Sequence, residues 1–325
     1  MASAAYNLMR NQIDYAGLFP PAGLAMPTVV ENYAKYLDGN DHHALGRLIV
    51  PATRLVEFAE AAKQFLPSVR SESQSIGSGS WKISGLVPPS APDSDDFKNG
   101  VQLIREFNAR HAQPENGLAC VDRVELKAPT IEHIQTAAEC DGLPIAFLEL
   151  PHEDVPEQQI KTIAKLTADG HQGLRAKIRT GGLTENLIPS PEQVAGFIHC
   201  CAQHKVAFKA TAGLHHPLRN EFPLTYEKDS DVATMHGFLN VFIASVAAFS
   251  QSISPEKIAE ILQLNTAEQI SFEEDSIKVV GLSISSQQVH DARTTGIASF
   301  GSCSFAEPTT EFKSHFGQAT FSNQP

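Results

Sequence analysis

Short apolar runs alternate with longer stretches in which apolar positions recur every three or four residues. The first run is Leu48-Ile49-Val50-Pro51. After it, from Thr53 onward, Leu55, Phe58, Ala59, Ala62 and Leu66 share one helical face. A second strand over 81–87 stops at Pro88-Pro89, and its helix spans 96–111. The third strand, 120–127, ends at Ala128-Pro129, and Thr130 caps a helix to Cys140. The fourth, 144–150, precedes a helix from Pro156 to a stop at Gly170. The fifth, 173–179, leads through Thr180-Gly181-Gly182 to a capping box, Ser190-Pro191-Glu192-Gln193, with proline at the first helical position. The sixth, 206–212, opens into a long loop through Asp231. An apolar helix over 233–249 and a short one after Ser254-Pro255 follow.

Six consecutive strand–helix units with apolar strands predict a parallel sheet covered by helices. Both an open doubly wound sheet and a closed barrel satisfy that rhythm. The barrel is favoured because strands near 276–284 and 297–301 bring the count to eight. No glycine-rich nucleotide fingerprint follows the first strand. Residues 270–281 also read as a hairpin turning at Glu274-Asp275-Ser276, so the seventh unit is where distortion is expected. The expectation is an α/β chain with one TIM-like (β/α)8 barrel over residues 41–317. Residues 1–40 would form an extension packed on it, 318–325 a frayed tail, and the serine-rich stretch 71–80 a flexible connection.

Composition narrows the class. Of 325 residues, 42% are hydrophobic and 19% charged, which suits a globular protein. A formal net charge of −12 argues against a nucleic-acid partner, which needs a basic face. The five cysteines are too sparse for a disulfide framework, and the Cys200-Cys201 pair lacks zinc-site spacing. The first residues lack the apolar core of a signal peptide, and the apolar stretch 238–249 is shorter than the ~20 residues that a membrane helix needs. These features predict a cytoplasmic protein with no membrane partner, and they leave room for a homo-oligomer.

Candidate chemistry gathers at the strand ends, where barrels hold their active sites. Glu125 with Lys127, and Lys177 with Arg179, are i, i+2 pairs, so each pair shares a face. Charge facing the helix layer is costly, which favours the lumen. Glu149 ends the fourth strand. Lys209 sits inside the apolar run Val206-Ala207-Phe208-Lys209-Ala210-Thr211-Ala212-Gly213-Leu214. A desolvated lysine beside a second cation such as Lys177 becomes a nucleophilic amine. The structural alternative is a lumen ion pair with Glu149 or Glu125. This run resembles the sixth-strand lysine segment of the deoxyribose-phosphate aldolase family of class I aldolases. The resemblance implies a Schiff base on Lys209. It also implies a second lysine on the following strand, for which Lys278 is the candidate.

Arg179, Thr180, Gly181 and Gly182 suit a carboxylate or phosphate, as do His216, Arg219, Ser302 and Ser304. The alternatives are a salt-bridge layer and plain turns. His215 suits proton transfer beside Glu149, and His236 with Asn240 either face the site or pack. Asp14 lies in an irregular apolar segment that either packs or reaches the cations. Arg47, before the first strand, reads as structural, and Cys303, before a helix near Glu307, is a candidate thiol nucleophile. Together the segments 177–182, 208–219, 236–241 and 300–305 are similar to a group of uncharacterised bacterial barrel proteins, a resemblance that implies no activity. Three functions follow as expectations. One is a lyase acting on a small anionic carbonyl compound through Lys209, with Lys177, Glu149 and His215 assisting and no cofactor. Another is a divalent-metal enzyme using Glu149 with His215 or His216. The third is a phosphoribosyl-transfer-like barrel that binds an anion without covalent chemistry.

Overall fold

The computed structural model describes residues 3–68, 79–88, 94–171 and 173–317. The expected tail over 318–325, and most of the serine-rich connection over 71–80, lie outside them. In chain order the elements begin with α1 (Ala4–Met9), β1 (Ile13–Tyr15), α2 (Met26–Leu37), β2 (Leu45–Pro51), α3 (Leu55–Ala62) and β3 (Trp81–Leu86). Next come α4 (Asp95–His111), β4 (Ala119–Lys127), α5 (Ile131–Glu139), β5 (Ile145–Glu149), α6 (Glu157–Ala168), β6 (Leu174–Arg179), α7 (Pro191–Gln203) and β7 (Phe208–Thr211). The hairpin β8 (Asn220–Pro223) and β9 (Val232–Met235) fills the long loop, followed by α8 (Phe238–Gln251) and α9 (Pro255–Leu262). The chain then runs through β10 (Ile270–Phe272), β11 (Ser276–Val279), β12 (Leu282–Ser285), α10 (Ser286–Thr295), β13 (Ile297–Ser302) and α11 (Ala306–Phe316).

Strands β1 to β7 and β13 close into an eight-stranded barrel in which every neighbouring pair is parallel. Two expectations are corrected. Residues 1–40 are not simply an extension: β1 is the first barrel strand, seated between β13 and β2. Three residues are too few to show a period of two, and only their two neighbours supply the pairing. The stretch 276–284 is not a barrel strand. It forms the antiparallel turn of β11 on β12, which with β10 makes a separate three-stranded sheet. Val280 and Gly281 both take positive φ, 47° and 75°, the backbone that a two-residue hairpin turn demands. The strand over 297–301 is present as β13.

Helix starts follow the sequence signals. Ser190 and Gln193 form both halves of the capping box on α7, and Thr130 caps α5. Helix α8 begins later than expected, because residues 232–235 pair as β9. It is apolar around its whole circumference because it packs against β13, α7, α9 and α10 at once. No helix among the described residues is long and apolar enough to cross a membrane.

Candidate functional site

Alternation along β4 and β6 sends charge down the barrel axis in three layers. On β4 the inward residues are Arg123, Glu125 and Lys127; on β6 they are Arg175, Lys177 and Arg179. Arg123 and Arg175 line a cavity at the amino-terminal ends of the strands. The other four line one at the carboxyl-terminal ends. Register sets Glu149 beside Lys177, and Lys177 beside Lys209, on adjacent strands.

The middle layer is a row of alternating charges. The Lys209 ammonium, with none of its residue surface exposed, donates to Asp14 Oδ2 and Glu125 Oε1, each at 2.6 Å. Glu125 Oε2 meets Lys177 Nζ at 2.9 Å, and Lys177 meets Glu149 Oε2 at 2.9 Å. Arg179 Nε lies 3.7 Å from Glu149 Oε1. Hydroxyls complete the row: Ser84 donates to Glu125 at 2.7 Å and Ser299 to Asp14 at 2.6 Å. Burial favours the neutral carboxyls, but the neighbouring cations outweigh it. Asp14, Glu125 and Glu149 are therefore all held below the usual carboxylate range. Burial likewise opposes charge on Lys177, and Glu125 with Glu149 overcomes it, raising the ammonium pKa.

Above this row lies a cavity of about 460 Å³. Glu125, Glu149, Lys177 and Arg179 line it; Lys209 lies beneath, outside its wall. His215 and Cys303 line it too. Cys303 Sγ is 3.8 Å from His215 Nδ1, and Glu307 Oε2 is 3.5 Å from the same nitrogen. Burial opposes charge on His215, but these two partners push it up to about 9. Burial also opposes the thiolate, while His215 pulls the Cys303 thiol below its usual value. Tyr226 closes this group, with its hydroxyl 3.2 Å from Glu307 and 3.7 Å from Cys303 Sγ.

The remaining candidates disperse. Gly182 lines the cavity. Thr180 turns its hydroxyl to the Thr211 and Ala212 carbonyls. Gly181 sits under Gly213, so close that a Cβ would meet the Gly213 Cα at 2.7 Å. His216 bonds Glu311 at 2.9 Å and stacks on Phe222. Arg219 donates its backbone N–H to Asn240 Oδ1, and His236 bonds the Pro189 carbonyl. Ser302 Oγ accepts from the Ser304 N–H, and Ser304 Oγ from the Glu307 N–H at the start of α11. Lys278 lies on β11, exposed and paired with Glu273, so it is not the second lysine that the aldolase resemblance implied. Glu149 does not gather with either histidine. Among the described residues the one metal-like grouping is His216, Glu307 and Glu311. Asp14 was visible only as a carboxylate in an apolar segment, and Ser84 and Ser299 had no sequence signal beyond lying in strands.

No family model matches the chain, and no curated protein matches it. Solved structures are similar in outline. QR15, an aldolase, has a TM-score of 0.37 at 12% identity, covering 62% of this chain and 80% of its own. A lysine/ornithine decarboxylase from Vibrio vulnificus complexed with cadaverine has 0.39 at 11%, covering 92% of this chain and 58% of its own. Malate synthase from Haloferax volcanii, in a magnesium and glyoxylate complex, has 0.41 at 9%, covering 87% of this chain and 74% of its own. At these values the likenesses assign no activity.

Proposed function

We propose that the barrel is a Schiff-base enzyme acting on a small anionic carbonyl compound, with Lys177 as the amine. The observation that carries this reading is the placement of the two lysines. Lys177 opens onto the cavity between two carboxylates, while Lys209 is sealed beneath it by Asp14 and Glu125. This moves the nucleophile from Lys209, the sequence expectation, to its neighbour. With β1 counted, Lys177 stands on the sixth barrel strand and Lys209 on the following one. The class I aldolase resemblance puts the Schiff base on Lys209 instead, so the assignment to Lys177 rests on the cavity alone.

The chemistry follows from the partners. Lys177 gives up its proton to solvent at the cavity, and the freed amine, set between Glu125 and Glu149, attacks the carbonyl carbon. A C–N bond forms, the carbonyl oxygen takes up protons and leaves as water, and the imine draws electrons from an adjacent C–C bond. Lys209 holds Glu125 in place and acts through it. Arg179 and Lys127 at the rim take the anionic group, and His215 supplies a second proton donor within the cavity.

Borohydride reduction in the presence of pyruvate, glyoxylate and neutral aldehydes tests the reading. The expected result is a mass adduct on Lys177. Because Glu125 and Glu149 raise the Lys177 pKa, trapping should accelerate with rising pH, and Glu149→Gln should move that rise to lower pH. No adduct on either lysine overturns the covalent mechanism. The full pairing of both amines favours, as the second reading, an anion-binding barrel without covalent chemistry. Stabilisation by these anions without trapping would select it.

A further inference from the structure

We propose that the amino-terminal end of the barrel is a second, separate binding site, for a small polyanion carrying two or more phosphoryl groups. The cavity there measures about 870 Å³, within the range of small-molecule sites. Arg10, Arg47, Lys82, Arg123, Arg175 and Arg293 line it, and no aspartate or glutamate among the described residues does. The chain as a whole carries 37 acidic residues against 25 Lys and Arg. A protein with that surplus of carboxylates has gathered cations here.

Among the described residues three carboxylates act on Arg123, and all are engaged: Glu125 answers both lysines and Ser84. Asp122 takes the Arg47 fork through both oxygens, at 3.2 and 2.9 Å. Asp14 is occupied by the Arg47 backbone N–H, by Lys209 and by Ser299. The Nε of Arg123 is buried with no partner among the described residues, its guanidinium 5.5 Å from the centre of the Phe147 ring. Arg293 is fixed by backbone carbonyls of Ile297, Ala298 and Arg10, yet its Nε has no partner among the described residues. Burial first, then repulsion from Arg47 at Arg123 and from Arg123 at Arg293, lowers both pKa values. An anion entering the cavity would relieve that repulsion and satisfy those donors together. Guanidinium forks fit phosphoryl oxygens, and Arg10, Lys82, Arg123 and Arg293 together call for several negative charges.

This site is independent of the proposed Schiff-base chemistry. Calorimetric titration and thermal shift at fixed ionic strength, with tripolyphosphate, orthophosphate and citrate, test it. Tripolyphosphate should raise Tm and bind about tenfold more tightly than orthophosphate or citrate. Arg123→Gln should weaken it by about tenfold or more, and the half-buried, less structural Lys82→Gln by at least about threefold. Arg179→Gln, at the opposite mouth, should leave binding unchanged. Binding no stronger than ionic-strength-matched chloride overturns the site. Loss in Arg179→Gln with Arg123→Gln and Lys82→Gln unaffected also overturns it, by placing the anion in the other cavity. Tighter citrate binding overturns the phosphoryl class.

Discussion

Glu125 is the residue on which the buried charge row depends, because it answers both lysines and Ser84 at once. Glu125→Gln leaves two buried ammonium ions short of an anion and should cost about 3–5 kcal/mol in urea unfolding at pH 7. The pH dependence has a definite sign. Asp14, Glu125 and Glu149 are depressed in the folded state, so their contribution is complete above about pH 4, the unfolded value, and is lost as pH falls through the folded values. The variant should therefore show a flatter acid limb than the parent. His215 behaves oppositely, at the alkaline end. His215 is raised to about 9, so its contribution is full below about 6.5 and is lost as pH rises through about 9. The lowered Cys303 thiol pKa beside His215 should make it the fastest cysteine toward iodoacetamide at pH 7. Burial instead pushes the Cys200 thiol up to about 11. His215→Ala should slow Cys303 by about tenfold, read by peptide mass mapping. Period-two spacing alone made the inward pairs Glu125–Lys127 and Lys177–Arg179 legible in the sequence. It also contained Arg123 and Arg175, one step further down each strand. It could not show that Lys209 lies below the cavity floor, since depth in a barrel is set by register with strands far away in sequence.

At the scale of elements, the turns after β6 and β7 meet through glycine. Gly213 takes φ +75°, and a Cβ there would come within 2.8 Å of the Gly181 Cα. Gly213→Ala therefore combines backbone strain with overpacking and should cost roughly 2–4 kcal/mol. Gly23→Ala, at φ +52° with nothing within 4 Å of the added carbon, should cost only about 1 kcal/mol. Comparing the two melting curves separates crowding from strain. Of these glycines, the sequence reads Gly181, with Gly182, as a turn and an anion contact. Close approach of two backbones leaves no trace in one-dimensional spacing. Strands β2 to β7 and β13 were readable because each is bounded by proline, glycine or a capping residue. Strand β1 was not, because three residues carry no period. The β11–β12 pair was readable as a hairpin and, less correctly, as a barrel strand.

Over the whole molecule, the acidic total and the cationic lumen belong to different layers. Carboxylates predominate in the sequence, yet the barrel axis carries cations at both mouths and a balanced row between them. Net charge therefore predicts how the surface repels its neighbours and says little about what the interior attracts. The strand that closes the barrel has a consequence in time. Asp14 bonds partners 195 and 285 residues further along the chain, Lys209 and Ser299. During synthesis its carboxylate emerges early and stays hydrated until the last strand leaves the ribosome. Until then β1 lacks its β13 neighbour, and the charge row lacks one terminus. Barrel closure, burial of the charges and completion of the cavity floor thus become a single late event, so a partly made chain has neither cavity complete.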